Sequence, residues 1–176
     1  GPNIADWPEV PELASTLAMK VVAVINDPVT TTDELIPSGE TSSYRSNPLR
    51  LSEFTLSRKV PEYVARAKAV KEDSKKLEEG IDVPDVVEAL ELAGASDTDV
   101  TYGSVIFAVK PGDGSAREQA ASCQRVLGGV ANIAREYATK RYRSNLINWG
   151  MIPFISKDTE FELGDYVIVK NIREAV

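Results

Sequence analysis

The sequence predicts an α/β domain, because short valine-rich runs alternate along the chain with amphipathic helical segments. Buried strands are predicted over residues 20–25 and 105–109, since each is a continuous apolar run that ends in a polar loop. The 176 residues fit one domain, which buries roughly 70% of the surface that its unfolded chain exposes. Such a domain needs no disulfide, and the single cysteine, Cys123, allows none within the chain.

The chain opens on a segment that contains prolines and acidic residues. We expect residues 1–18 to form a lead-in and residues 19–176 to form the domain. Gly1-Pro2 matches what tag cleavage leaves behind, so we expect an excised fragment. After the first strand, the polar residues 38–47 predict a long loop, a type of segment that often carries function.

Two helices are predicted in the middle of the chain. The first covers residues 61–79, with Pro61 at its start and Gly80 as its stop. The second covers residues 84–92, again with a proline at its start, and ends at Gly94.

The last third of the chain predicts shorter elements. Gly128-Gly129 ends a helix, and residues 133–144 read as a short strand or helix start followed by a helix. Residues 151–154 predict an edge strand because Pro153 cannot donate a ladder hydrogen bond. Residues 166–169 predict a late strand entered through a turn.

The most informative motif is Gly112-Asp113-Gly114-Ser115-Ala116-Arg117-Glu118, which follows the strand at 105–109 directly. It places a hydroxyl and a guanidinium where a glycine loop becomes a helix N-terminus. The unpaired first N–H groups and the helix dipole of such a terminus suit a carboxylate or phosphate. Ser115-x-x-Glu118 is equally a capping box, and the local spacing leaves both interpretations open.

Composition restricts the function classes. The net charge of −7 opposes nonspecific binding to nucleic acid or to an anionic membrane. The chain has no histidine, so any proton chemistry must use a carboxylate, lysine, tyrosine or activated hydroxyl. No apolar run approaches about 18 residues and no signal peptide is apparent, so we expect a soluble, cytoplasmic protein.

Five separated segments, taken together and in order, resemble the C-terminal swivelling domain of aconitase-type hydratases. They are Thr31-Thr32-Asp33, Tyr44-Arg45, Gly114-Ser115-Ala116-Arg117-Glu118, Arg143-Ser144-Asn145 and Trp149-Gly150-Met151-Ile152-Pro153. The resemblance implies a three-layer β/β/α swivelling domain that closes over an active site. It also implies that a [4Fe–4S] cluster is bound by a separate N-terminal three-domain core, and the lone Cys123 agrees with that division.

The resemblance also implies roles for individual residues. Ser115 would act as an alkoxide base, while Arg117 and Arg45 would bind substrate carboxylates. Asp33 matches a catalytic active-site aspartate, and Thr32, which precedes it in the same turn, would bind substrate.

Plainer interpretations of these residues stay open. Thr30-x-x-Asp33 is also a helix-cap pattern, and Arg45 is also readable as a solvated loop arginine. Arg50 lies close enough in the sequence to be confused with Arg45.

The chain departs from the aconitase pattern at three positions. Ala116 replaces a second serine, while Gln119 and Glu34 stand where aconitases carry histidines. A lost active-site hydrogen bond changes substrate discrimination strongly, so we expect a hydroxy di- or tricarboxylic acid as the substrate without assigning citrate.

The leading hypothesis is therefore a hydro-lyase domain that is inactive in isolation, and three alternatives remain. One is the small subunit of a two-chain isomerase of the isopropylmalate type. Another is a degenerate, non-catalytic family member. The third is an RNA-binding module suggested by the interleaved basic and aromatic residues 140–143, although the acidic net charge favours an exposed helix face as the explanation of that run.

Overall fold

The computed structural model describes residues 15–37, 48–96, 98–114 and 117–172, with Pro48 and Arg117 described by their backbone alone. The strands are β1 (Thr16–Ile25), β2 (Thr30–Thr31), β3 (Val100–Ala108), β4 (Pro111–Asp113), β5 (Gly129–Ala134), β6 (Ile152–Ile155) and β7 (Tyr166–Lys170). The helices are α1 (Thr32–Leu35), α2 (Pro48–Ser52), α3 (Tyr63–Glu78), α4 (Pro84–Leu92), α5 (Arg117–Val126) and α6 (Lys140–Asn148). The predicted α/β class is confirmed.

Five strands form one sheet in the order β6-β5-β3-β1-β7. Strands β1, β3, β5 and β6 run parallel, and β7 pairs with β1 in the antiparallel direction. Parallel strands covered on both faces read as continuous apolar runs, which is why the sequence identifies β1 and β3 readily. The predicted edge strand before residue 155 is confirmed, since β6 lies at the end of the sheet.

The two faces of the sheet carry separate apolar clusters. Leu17, Met19 and Val21 of β1 belong to one cluster, whereas Ala18 and Val22 belong to the other, larger one. The larger cluster includes residues of α3, α4, α5 and α6, so these helices cover that face. The alternation along β1 is the side-chain period of two that any strand imposes.

The two helices predicted in the middle of the chain agree closely with α3 and α4, whereas strands β1 and β3 are longer than predicted. Helix α4 has the predicted bounds, and α3 falls inside its predicted range. Strand β1 already begins at Thr16, which pairs with Val100 on one side and Lys170 on the other. The long loop predicted over 38–47 lies outside the described residues, and α2 directly after it is not apparent in the sequence.

A second, two-stranded sheet positions the loops of interest. Strands β2 and β4 pair in parallel, with Thr30 opposite Pro111 and Thr31 opposite Asp113. They follow β1 and β3 along the chain, so they lie beyond the carboxyl ends of these two neighbouring parallel strands. Ligand sites of open α/β sheets lie at this edge.

Candidate functional site

Two of the segments singled out in the sequence meet at the small β2–β4 sheet. Strand β4 leads into the glycine loop, and β2 leads into α1 with Thr32 and Asp33. Gly114 has φ +123° and lies against Thr32, whose Oγ1 is the first atom that an added Cβ would meet. A side chain at position 114 would therefore both strain the backbone and displace Thr32. The glycine is needed for this close approach.

Helix α1 begins with a complete capping box built on Thr31. The Thr31 Oγ1 accepts from the Glu34 N–H at 3.1 Å, and Glu34 Oε1 accepts from the Thr31 N–H at 3.0 Å. The alternative Thr30-x-x-Asp33 cap is wrong by one residue, because Thr31 is the residue with extended φ and ψ at the helix start. The Asp33 carboxylate is therefore not used to cap α1.

Asp33 lies on the exposed side of α1. Its side chain is 60% exposed, and its Oδ2 lies 3.9 Å from Nη1 of Arg58. The Thr32 side chain next to it is buried against Gly114. Thr32 therefore contacts the glycine loop, whereas the Asp33 carboxylate faces solvent.

An ion-pair cluster surrounds the start of α1. We call Asp27, Asp33, Glu34, Arg58 and Lys59 the surface ion-pair cluster, in which the Lys59 Nζ donates to Asp27 and lies 3.2 Å from Oε2 of Glu34. Burial opposes ionisation of Glu34, but the Thr31 N–H and the Lys59 ammonium outweigh it and lower its pKa. Hydrogen bonds to Asp27 and Glu34 in turn raise the pKa of Lys59.

Sequence analysis missed Arg58 and Lys59. The chain reaches this place because the Leu56 N–H donates to the Leu35 carbonyl at 2.7 Å, with Leu56 at φ +55°. A single left-handed residue in a turn has no reliable sequence signature when it is a leucine. Nothing in the local spacing links this turn to residues 27–34.

The glycine loop is held from behind by α6. The Gly112 carbonyl accepts from Oγ1 of Thr139, the N-cap of α6, at 3.1 Å. Gly112 has φ +105°, and an added Cβ would lie about 2.5 Å from the Tyr142 ring. The loop backbone therefore lies directly on that ring.

Behind Tyr142 lies what we call the buried network, a closed set of hydrogen bonds among Gln124, Asn132 and Tyr142. The Tyr142 hydroxyl donates to Asn132 Oδ1 at 2.6 Å, Asn132 Nδ2 donates to Gln124 Oε1 at 2.6 Å, and Gln124 Nε2 donates to the Tyr142 oxygen at 2.8 Å. Each of the three is at most 1% exposed, and burial raises the pKa of Tyr142. The network ties α5, β5 and α6 together and so fixes the helix that follows the glycine loop.

The remaining predicted site residues are only partly covered by the described chain. Ser115 and Arg45 lie outside the described residues, and Arg117 is described by its backbone as the first residue of α5. Arg50 lies in α2, exposed. The structure thus brings together Thr32, Asp33 and Gly114.

The cysteine of this chain does not suit an iron–sulfur cluster. Cys123 is 1% exposed, and burial raises the pKa of its thiol to about 11 in spite of hydrogen bonds with Thr55 and Ser122. Cluster ligation requires thiolates, usually four of them. Among the described residues there is also no group of three or more histidine, cysteine or acidic side chains placed to hold a metal ion.

Two further observations bear on possible partners. The aromatic residue of the basic run 140–143 is Tyr142, which is fully buried and cannot stack on a nucleotide base. Within the described part of the chain, no helix combines the length and the apolar character that crossing a bilayer requires.

Comparisons with known proteins agree on the fold. The model of the family described as "Aconitase C-terminal domain" matches residues 61–159, more than half of the chain. A crystal structure of 3-isopropylmalate dehydratase (leuD) from Methanocaldococcus jannaschii is similar, with a TM-score of 0.54 and 21% identity over 90% of this chain and 73% of that one. No curated protein matches. The family match and the shared fold show that the chain belongs to the aconitase C-terminal domain family, with the swivelling-domain fold of that family.

Proposed function

We propose that this chain is the substrate-binding and base-donating swivelling domain of an aconitase-type hydro-lyase that acts on a hydroxy di- or tricarboxylic acid. One observation carries the proposal. The pairing of β2 with β4 brings Thr32, the residue before Asp33, against Gly114, the residue before Ser115 of the matching motif. Segments that are far apart in the sequence thus meet at the sheet edge where ligand sites of α/β folds lie.

Ser115 is the proposed base. Its oxygen would accept the proton from the carbon next to a substrate carboxylate and later return it. A serine alkoxide needs strong stabilisation, and α5 begins only two residues further along the chain, at Arg117. The free N–H groups at a helix start and an adjacent guanidinium are suitable sources of that stabilisation.

The carboxylates of the substrate are assigned to two arginines. Guanidinium groups bind carboxylates in a bidentate geometry, which suits Arg117 and Arg45 to this role. Asp33 would orient polar groups of the substrate, since its carboxylate is exposed and lies next to Arg58. Thr32 would act indirectly, through its contact with Gly114.

The proposed reaction requires a second part of the protein, which carries the cluster. A [4Fe–4S] cluster held by an N-terminal three-domain core of the same cytoplasmic protein would supply Lewis-acid chemistry at the leaving hydroxyl. The buried Cys123 thiol is not suited to ligate such a cluster, so Cys123 has no part in the proposed reaction. This chain would contribute only the base and the substrate-binding groups.

The test is the anaerobic activity of the full-length protein, reconstituted with iron and sulfide, on a panel of hydroxy di- and tricarboxylic acids. We expect Ser115→Ala to lower kcat by about a thousandfold, because it removes the proposed acceptor of the proton. Ser122→Ala is the matched control, since Ser122 lies on α5 and its hydroxyl bonds the Gln119 carbonyl, at 3.3 Å, and the buried Cys123 thiol. Equal activity of wild type and Ser115→Ala would contradict the proposal.

A cluster-loaded protein that is inert on every acid would instead favour a family member that kept the fold and lost the chemistry. Ala116 and Gln119 are the departures that such a result would implicate.

The structural similarity favours a second candidate, the small subunit of a two-chain isomerase. The similar solved structure is named a 3-isopropylmalate dehydratase, and the similarity covers 90% of this chain. Purification from the native source decides between the two candidates. Recovery on a single long polypeptide supports the swivelling domain of a one-chain enzyme, whereas recovery with a separate large subunit and activity on 3-isopropylmalate supports the small subunit.

A further inference from the structure

A cleft of about 740 Å³ lies at the opposite edge of the main sheet from the glycine loop. Its floor is the start of β3, around Val100 and Tyr102, together with Gly128 and Val130 before and within β5. One wall is α3 and the other is the C-terminal end of α5. The length of β3 separates this cleft from the glycine loop by roughly 25 Å.

The cleft contains the guanidinium of Arg125. Arg125 donates to the Gly129 carbonyl at 3.3 Å, and none of the described residues offers it a carboxylate. Because its charge is partly removed from water, burial lowers the pKa of Arg125. A guanidinium has five donors, so most of its hydrogen-bonding capacity is available to a ligand.

Two lysines of α3 add positive charge to the same wall. The Lys71 Nζ donates to the Val126 carbonyl at 2.8 Å and has no carboxylate within reach in the described part of the chain. Lys75 pairs with Glu72 at 3.6 Å, but both side chains are more than half exposed, so this pair is weak. Glu78 is the acidic side chain that lines the cleft, and the lining groups are positive in sum.

Tyr102 contributes to the floor of the cleft and is 5% exposed. Its ring stacks on Tyr166, with 6.5 Å between the ring centroids, and burial raises the pKa of its hydroxyl. Because the hydroxyl oxygen itself is buried, the polar groups that can meet a ligand in the cleft are the cationic side chains of α3 and α5.

The rest of the lining is apolar and comes from Leu77, Val100, Val126 and Val130. Ligand sites typically combine apolar walls with a few polar groups, in clefts of roughly this size. We propose that this cleft binds a small organic anion, a phosphate or carboxylate attached to an apolar group. The proposal goes beyond the hydro-lyase function and does not depend on it.

The test is a titration of the ¹⁵N-labelled chain with phenyl phosphate, followed by amide chemical shifts. We expect saturable shifts at Thr101, Gly128, Gly129 and Val130. Inorganic phosphate and phenol, the two halves of the probe, should each bind on the order of tenfold more weakly, since each makes only part of the contacts. Shifts confined to Gly112 and Gly114, or no saturable shift, would overturn the proposal.

Variants locate the binding groups. We expect Arg125→Gln to weaken binding of phenyl phosphate on the order of tenfold. Lys76→Gln removes the same charge as Arg125→Gln from a neighbouring position outside the cleft lining, and should change nothing. Equal effects of Arg125→Gln and Lys76→Gln would reduce the binding to general electrostatics and overturn the assigned site.

Discussion

The surface ion-pair cluster and the buried network lie on either side of the same glycine loop and differ in their contact with water. In the cluster, Asp33 and Arg58 are both more than half exposed. In the network, Gln124, Asn132 and Tyr142 exchange hydrogen bonds of 2.6–2.8 Å and are almost fully buried. Water can replace a lost partner in the cluster but not in the network. The shape of the loop therefore depends on the network, while the cluster supplies charge that can rearrange around a ligand.

The largest expected loss of stability comes from adding a side chain at Gly112, where the glycine loop lies on the Tyr142 ring of the buried network. Gly112→Ala adds a Cβ about 2.5 Å from the Tyr142 ring at φ +105°. We expect a loss of about 3 kcal/mol in the free energy of unfolding, measured by urea denaturation, because both the backbone and a buried ring must shift.

Gly164→Ala is the matched control for that experiment. Gly164 also has positive φ, +88°, but an added Cβ would have no neighbour within 4 Å. It should cost only the backbone strain, about 1 kcal/mol. Equal losses for the two variants would show that contact with Tyr142 is unimportant.

The next effect comes from removing one hydroxyl of the network. Tyr142→Phe leaves Asn132 Oδ1 without its donor inside the protein, and we expect a loss of about 2 kcal/mol in thermal or urea unfolding. Tyr102→Phe removes a buried hydroxyl that has no partner among the described residues. That control should be neutral or slightly stabilising, and a similar loss for both would contradict the assigned role of the network.

A smaller effect is expected in the cluster, and it depends on pH. Because the pKa of Glu34 is lowered from its ordinary value of 4.5, its ionisation stabilises the fold above about pH 4.5. That contribution disappears as the pH falls through the lower pKa of the folded state. Glu34→Gln can keep the capping hydrogen bond but loses the charge, so we expect it to be less stable than the wild type at pH 7 by under about 1 kcal/mol.

Urea unfolding of both proteins between pH 7 and pH 3 checks this sign. The difference between wild type and Glu34→Gln should shrink as the pH falls below 4.5. A difference that grows in acid would mean that the pKa of Glu34 is raised in the fold. Thr31→Ala, which removes the cap itself, should cost about 1 kcal/mol at neutral pH.

The smallest effect is expected for an exposed pair outside both regions. Lys68 bonds Glu53 at 2.6 Å, yet each side chain is about half exposed. Lys68→Gln should change the free energy of unfolding by less than about 0.5 kcal/mol, measured in the same assay. A loss as large as that of Tyr142→Phe would remove the distinction between exposed and buried polar contacts on which the comparison depends.

The sequence predicts most of the helices and strands, but few of the contacts that hold the glycine loop and α1 in place. Helix α4 was predicted with its observed bounds because Pro84 and Gly94 mark its ends locally. The buried network was missed because Gln124, Asn132 and Tyr142 look like ordinary polar residues on separate elements. The cap of α1 was misplaced by one residue because Thr30, Thr31 and Thr32 are chemically alike, and only the backbone conformation distinguishes them.

The sequence by itself determined the α/β class, helices α3 and α4, the buried strands, the glycine loop and the family resemblance, because each depends on residues that are close together or on a motif. Only the tertiary structure decided that Thr32 lies against Gly114, that Lys59 pairs with Asp27 and Glu34, and that Tyr142 is internal. These contacts join residues far apart in the chain. Which distant strand ends and helices meet is decided by how the whole sheet pairs and packs, which no local pattern encodes.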